Sequence, residues 1–290
     1  MLYIGIDLGT SAVKLILMNE KGKIYNTVTK KYPLYFPKSG WSEQKPEDWF
    51  EKTVDGLKQL TEMYNKKEIA GISFGGQMHG LVILDGNDNI IRPAILWNDG
   101  RTGKETEYLN NTVGEEKLSE YTANIAFAGF TAPKLLWLKE NEADNFKRIS
   151  KIMLPKDYVA YCLSGIFCTD YSDASGTLLL DVKNKRWSKE MLDICSVNEN
   201  MLPRLFESYE VVGTIKDDIA ELLGFDRTVK IIAGAGDNAA AAIGTGTVGD
   251  GMCNISLGTS GTIFISENIF RNTKNLSLIH ISEPTRRSYI

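Results

Sequence analysis

Four stretches of the sequence carry residue types and spacings that can do chemistry. The first is Asp7-Leu-Gly9-Thr10-Ser11, set between two apolar, β-branched runs within residues 2–18. A glycine there lets the chain turn sharply, and amide N–H groups beside two hydroxyls form a concavity suited to phosphate oxygens. Asp7 adds a carboxylate able to hold a hydrated Mg²⁺, which in phosphate sites takes only one or two carboxylates. The second is Asn254-Ile-Ser256-Leu257-Gly258-Thr259-Ser260-Gly261-Thr262, which repeats Leu-Gly-Thr-Ser 249 residues after Leu8. That offset is too long for a solenoid repeat and fits a duplicated domain. Ser256 stands where the first copy has Asp7, so only the first turn offers a metal carboxylate. Two such turns facing each other would grip a polyphosphate from both sides.

The third stretch is Gly234-Ala-Gly236-Asp237-Asn238, where an apolar run from Lys230 enters a glycine-rich turn and an Ala-rich helix leaves it. Asp237 then stands at a helix N-terminus, where the dipole stabilises a carboxylate by ~0.5 kcal/mol or more. Asp is also a common N-cap; the glycine pair before it and the second turn after it favour catalysis. A weak base suffices for phosphoryl transfer, whose loose transition state mainly needs a positioned nucleophile. The fourth is Gly75-Gly76-Gln77-Met78-His79-Gly80, directly after an apolar run. Its glycines permit close approach of a small ligand, and strand C-termini in α/β sheets are where ligands collect. His79 there either hydrogen-bonds a ligand hydroxyl or caps a strand edge. Ala94-Ile-Leu-Trp97-Asn98-Asp99-Gly100-Arg101 is weaker: Trp97 can floor a sugar site, while Asp99 and Arg101 either join it or pair with each other.

The elements that must position these residues follow from periodicity. The spacing predicts a hairpin over residues 2–18, a third strand over 23–32, a loop over 33–44 and a helix from Pro46. Proline suits a first helical turn, and Glu47 and Asp48 complement the dipole. Phe50, Val54, Leu57, Leu60 and Tyr64 recur at helical spacing as its predicted buried face. A strand over 68–74 completes a β-β-β-α-β order. Helices are predicted from Gly103 towards Thr112 and on to about Gly165, a strand over 177–182, and mostly helix and loop over 193–223. The β-β-β-α-β order is not a Rossmann unit. It matches the α/β, ribonuclease H-like fold of actin, chaperone ATPases and sugar kinases.

Composition narrows the partners. The 290 residues are 43% hydrophobic and 24% charged, with a formal net charge of -4, which gives no basis for binding nucleic acid. No apolar run approaches a membrane span, the N-terminus enters a strand without a signal peptide, and the four cysteines are scattered. A cytoplasmic protein with small-molecule ligands is expected.

Ordered motifs along most of the chain then resemble one family, the FGGY carbohydrate kinases, and within it the xylulokinases. They are Gly5-Ile-Asp-Leu-Gly-Thr-Ser11, Trp41-Ser-Glu-Gln44, Gly76-Gln-Met-His-Gly80 and Arg92-Pro-Ala-Ile-Leu-Trp-Asn-Asp-Gly-Arg101. Gly129-Phe-Thr-Ala-Pro-Lys134-Leu-Leu-Trp137, Leu154-Pro-Lys-Asp-Tyr158, Ser172-Asp-Ala-Ser-Gly-Thr177 and Gly236-Asp-Asn-Ala-Ala240 complete the set. The resemblance implies ATP-dependent phosphorylation of D-xylulose to D-xylulose 5-phosphate, with ATP and Mg²⁺ as cofactors and a homodimer at full length. Carried over, Asp237 is the catalytic base; Met78, His79, Asp237 and Asn238 bind sugar; Thr10, Ser11 and Thr259 bind the nucleotide; Asp7 binds the metal. Trp97 and Asp99 would wall the pocket. A ribulose, gluconate or glycerol kinase, a non-catalytic sugar-binding protein and an actin-like ATPase are the alternative readings. Glycerol kinases fit less well, having an Arg-Glu pair where this chain has Met78-His79.

The same comparison assigns residues 1–246 to a sugar-binding and catalytic domain, and 247–275 to the first hairpin of a nucleotide domain that is only begun. Residues 276–290 resemble the translation of a sequencing-library adaptor and are expected to be foreign. A chain ending so soon after the second turn is expected to lack kinase activity while keeping a sugar site.

Overall fold

The computed structural model describes residues 1–257 and 261–268. The chain divides into two compact units, Met1–Gly236 and Asp237–Ile290.

The first unit is built on the predicted β-β-β-α-β order. β1 (Leu2–Leu8) and β2 (Ala12–Asn19) form an antiparallel hairpin with Asp7 opposite Lys14 and Leu8 opposite Val13, and β3 (Ile24–Lys31) continues the meander. Leu2, Ile4, Ile6 and Leu8 on β1, and Val13, Leu15 and Leu17 on β2, turn inward at the two-residue period of a half-covered sheet. After β4 (Glu43–Gln44) comes α1 (Pro46–Thr61), with Pro46 in its first turn. A Cβ on Gly56 would lie 2.5 Å from Leu15 Cδ1, so this helix seats on β2 more closely than any side chain would allow. β5 (Ile69–Gly76) then runs parallel to β1 and ends with Gly76 beside Leu8, two residues beyond the predicted end.

The rest of the unit surrounds that sheet. In chain order it comprises β6 (Val82–Leu84), β7 (Ala94–Ile95), α2 (Gly103–Glu107), α3 (Glu115–Thr122), α4 (Thr131–Asn141), α5 (Ala143–Lys147), β8 (Lys151–Met153) and α6 (Pro155–Ser164). Wide π turns at Tyr108–Gly114 join α2 to α3. There follow β9 (Cys168–Asp170), α7 (Tyr171–Ser175), β10 (Leu180–Asp181), β11 (Arg186–Trp187), α8 (Lys189–Cys195), β12 (Arg204–Phe206), β13 (Val211–Thr214), α9 (Asp217–Leu223), β14 (Lys230–Ile232) and β15 (Ala235–Gly236). The main sheet has the order β13-β14-β5-β1-β2-β3, with β15 also on β5. β14 and β15 run parallel to β5, and Gly236 pairs with Gly76, so the C-terminal ends of β1, β5 and β15 lie side by side.

Two expectations need correction. The inward face of α1 is Trp49, Thr53, Gly56, Leu57, Leu60 and Thr61, with Phe50, Val54 and Tyr64 only partly covered at its flanks. Leu57 and Leu60 are buried as expected; the rest of the face is Trp49 and small residues, which sit where the helix meets the sheet. Residues 193–223 are mainly helix and loop as expected, but they also hold β12 and β13, which the pattern does not show, and β13 is an edge strand of the main sheet. Its Val-Val-Gly-Thr gains its β structure from pairing with β14 rather than from its own pattern.

In the second unit α10 (Asp237–Gly244) leads to a hairpin of β16 (Met252–Leu257) and β17 (Gly261–Ser266), with Ser256 opposite Thr262. Asn254 Nδ2 donates to Thr245 Oγ1 at 2.8 Å, tying the hairpin to the turn after α10. Thr259 and residues 276–290 lie outside the described residues. Among the described residues no helix is long and apolar enough to cross a membrane.

Candidate active site

The turn between β1 and β2 is clamped from four other places in the sequence, three times by a side chain and once by a backbone amide. Tyr32 Oη donates to Gly9 O, and Gln44 Nε2 donates to Thr10 O at 2.7 Å. Trp97 Nε1 donates to Thr10 Oγ1 at 2.9 Å, and the Gln77 amide donates to Leu8 O at 2.8 Å. Gln44 Oε1 in turn accepts from Trp49 Nε1 and Gln77 Nε2, both at 3.1 Å. These bonds hold the turn's carbonyls from the protein side and leave Thr10 and Ser11 outside the β1–β2 ladder. A turn held so firmly costs little reorganisation when it meets charge, which is what a phosphate site needs. Gln44, Gln77 and Tyr32 were not singled out from sequence; a buried amide or phenol next to a glycine-rich turn is the signal that could have found them.

Asp7 is the last polar residue of β1 before this turn. It is exposed, yet crowding raises its carboxyl above the ordinary range, with Lys14 opposing. A nearby cation would relieve that cost. Among the described residues no group of three or more metal-ligating side chains occurs. A single carboxylate fits a hydrated Mg²⁺ carried by phosphates and does not fit an all-protein cage.

The loop after β5 brings Met78 and His79 next to this turn, since Gln77 just before them is bonded through its amide to Leu8 O. His79 adopts the left-handed backbone with φ 66, uncommon for a residue with a side chain. Its carbonyl accepts from Lys134 Nζ at 2.7 Å and Thr131 Oγ1 at 3.2 Å, and Lys134 Nζ also donates to Gly129 O at 2.6 Å. Its ring stacks on Phe130 with centroids 4.7 Å apart. Nδ1 lies 2.6 Å from Gly176 O. A carbonyl only accepts, so Nδ1 carries the proton and Nε2 presents a lone pair. Glycines shape this cradle: a Cβ on Gly176 would meet His79 Cε1 at 2.5 Å, and one on Gly236 would meet Met78 Sδ at 2.9 Å.

Burial pushes the His79 pKa down to about 3 from an ordinary 6.5, with the Gly176 carbonyl opposing and Lys134 adding to the fall. The folded protein therefore favours neutral imidazole, while the unfolded chain takes up a proton below about 6.5. Stability from this group is complete above about pH 6.5 and is lost as pH falls towards 3. The expected result is a urea midpoint that drops between pH 7 and 4, and drops less in His79→Asn. Parallel midpoints for the two proteins across that range would show that His79 is not held neutral.

Trp97 and Asp99 do not form one wall. Trp97 is half-buried and braces the β1–β2 turn through Thr10. Asp99 is 2% exposed, and its carboxylate accepts from Ser42 N at 2.6 Å, Arg101 Nε at 2.8 Å and Arg101 Nη2 at 2.7 Å. Arg101 also meets Glu43 at 2.7 Å and lies 3.7 Å above the Trp41 ring. The pair is an internal brace, the bidentate arrangement that Arg and carboxylate favour.

The remaining site residues belong to the second unit. Gly234, with φ 76, turns the chain where a Cβ would lie 2.2 Å from Phe74 O, and β15 then delivers Gly236 against Met78. Asp237 is the next residue. It is exposed at the start of α10, and its Oδ1 accepts from the Asn238 amide at 2.7 Å.

The model of the FGGY family of carbohydrate kinases, N-terminal domain, matches residues 2–244. The xylulose kinase of Lactococcus lactis subsp. lactis (strain IL1403) is 47% identical over 263 residues, 90% of this chain and 52% of that protein. The xylulose kinase of Escherichia coli (strain K12) is 42% identical over 280 residues, 96% of this chain and 57% of that protein. Among solved structures, a xyloylose kinase from Brucella ovis superimposes with a TM-score of 0.91 at 40% identity, covering 94% of this chain and 56% of that one. A gluconate kinase from Lactobacillus acidophilus superimposes with a TM-score of 0.87 at 32% identity, covering 90% and 53%. The chain thus spans about half the length of the curated relatives it matches.

Proposed function

From its place in the FGGY family of carbohydrate kinases, to which this chain belongs, we propose that the full-length protein transfers the γ-phosphoryl group of ATP to the 5-hydroxyl of D-xylulose. The observation that carries this reading is the pairing of a clamped phosphate-type turn with a neutral His79, in the loop after the neighbouring strand, whose Nδ1 is bonded to Gly176 O and whose Nε2 is left to accept. The naming of several relatives as xylulose kinases supports xylulose as the sugar.

The roles follow from the residues. Thr10, Ser11 and Thr259 bind phosphate oxygens through amides and hydroxyls. Met78, His79 and Asn238 orient the sugar, His79 Nε2 accepting from a sugar hydroxyl. Asp237 takes the proton from the 5-hydroxyl as the new O–P bond forms and the bond to the ADP oxygen breaks. Asp7 would hold Mg²⁺, which when bound neutralises phosphate charge. Residues 1–246 act in this reading as the sugar-binding and catalytic domain, and 247–275 as the start of the nucleotide domain.

The likeness to a gluconate kinase favours a second reading, a sugar acid as acceptor. An acid would place its carboxylate near His79, whose imidazole stays neutral and offers no charge. Sugar-dependent ADP release measured with xylulose, ribulose, gluconate and glycerol separates the two. The expected order has xylulose first in kcat/KM; gluconate ahead of xylulose would overturn the assignment.

A further inference from the structure

Lys156 and Asp157 of the Leu154–Tyr158 motif and Asp173 of the Ser172–Thr177 motif are not used in the chemistry above, yet they meet with Asp170 in a buried ion cluster. Lys156 Nζ lies 2.6 Å from Asp157 Oδ1, 2.8 Å from Asp170 Oδ1 and 3.5 Å from Asp173 Oδ2, and none of the four side chains is more than 2% exposed. The cluster sits directly under the end of β5, where a Cβ on Gly76 would be 3.0 Å from Lys156 Cβ. Gathering three carboxylates and one amine away from water is costly, and well-packed apolar side chains often stabilise as much or more. What such a cluster supplies in return is fixed geometry.

That geometry leads to the chain segment before Asp237. Asp170 Oδ2 accepts from Ser172 N at 2.9 Å, from Ser172 Oγ, and from Ser208 Oγ at 2.9 Å. Ser172 has one hydroxyl proton and gives it to Asp170, so its lone pairs can only accept. One of them takes the Gly236 amide at 3.1 Å. Ser208 is used in the same way: its hydroxyl is on Asp170, and its carbonyl accepts from the Gly234 amide at 3.0 Å. Two of the three amides in 234–236 therefore hang on serines that one carboxylate orients, and Lys156 is that carboxylate's counter-ion. Burial works against the Asp170 anion, but Lys156 and the serine hydroxyls outweigh it and hold its pKa below the usual range.

We infer that Lys156, Asp170 and Ser172 are positioning residues that fix the Ala235–Gly236 peptide, the last one before Asp237, and so set where the chain delivers Asp237. The inference rests on Asp237 being the base. Misplacing a reacting group by ~1 Å can cost about a hundredfold in rate. Ser172→Ala removes the acceptor for Gly236 and one hydroxyl donor to Asp170, and leaves the contacts of Lys156 with the three carboxylates in place. In the full-length protein it is expected to lower kcat by roughly ten- to a hundredfold per active site, with KM for xylulose and ATP within about twofold. Ser172→Thr keeps the hydroxyl and is expected to restore most of the lost kcat. Asp170→Asn, which keeps the shape but removes the charge, is expected to follow Ser172→Ala. An unchanged kcat in Ser172→Ala, a KM that rises in step with the fall in kcat, or no recovery in Ser172→Thr would each overturn the inference. Asp237→Asn assayed in parallel separates the two claims. Loss of turnover there with a normal Ser172→Ala defeats the positioning role alone, whereas normal turnover in Asp237→Asn defeats the assignment of the base.

Discussion

Replacing Asp237 by Asn in the full-length protein is expected to lower kcat by about 10²–10⁴-fold, the usual contribution of a positioned general base. Asparagine keeps the size of the side chain and an oxygen able to accept the Asn238 amide, which Asp237 Oδ1 now takes at 2.7 Å. The start of α10 is therefore preserved, and only the capacity to accept a proton is lost. KM for ATP is expected to stay within about twofold, because the interaction removed is one made in the transition state. A variant with near-normal kcat would remove Asp237 from the role of base, however well xylulose still bound.

The second large effect is expected at His79. Asn tolerates the left-handed backbone that His79 adopts with φ 66, so His79→Asn tests the side chain and not the main chain. Its amide nitrogen falls near the position of Nδ1 and can still donate to Gly176 O. Nothing replaces Nε2. Losing one partner of a buried hydrogen bond costs about 1–3 kcal/mol, so xylulose affinity is expected to weaken by roughly ten- to a hundredfold. Calorimetry on the two proteins measures this directly. Equal affinities would make His79 a residue that braces the loop against Phe130 and Gly176 without touching sugar.

Much of the scaffold was legible because local pattern and tertiary need agree in it. The Leu8–Ser11 turn, the hairpin around it and the β-β-β-α-β order follow from strict alternation and a glycine, and the sheet keeps them. The face of α1 was misjudged because counting large apolar residues overlooks Thr53 and Gly56, whose smallness lets the helix sit on Leu15. β13 was missed because a four-residue edge strand owes its shape to β14, a partner 16 or more residues further on.

The polar residues around the candidate site were less legible for one physical reason. A lysine in a sequence reads as surface, yet Lys134 and Lys156 are both fully buried. Lys134 is held by the carbonyls of His79 and Gly129, the first of them 55 residues away, and Lys156 by Asp170 and Asp173 from the next motif. Asp99 and Arg101 illustrate the converse. Their types allowed either a ligand site or a mutual pair, and two residues of spacing were enough for them to satisfy each other. Sequence shows which residues can do chemistry; only the contacts show which have already spent it on one another.

The proposed reaction is a phosphoryl transfer to one hydroxyl of one sugar. It is tested most directly by incubating the full-length protein with D-xylulose and MgATP and locating the phosphate in the product by phosphorus–proton correlation NMR. The expected result is D-xylulose 5-phosphate formed in step with ADP, and its loss in Asp237→Asn. ADP release without a phosphorylated sugar, or phosphate on any hydroxyl other than the fifth, would contradict it.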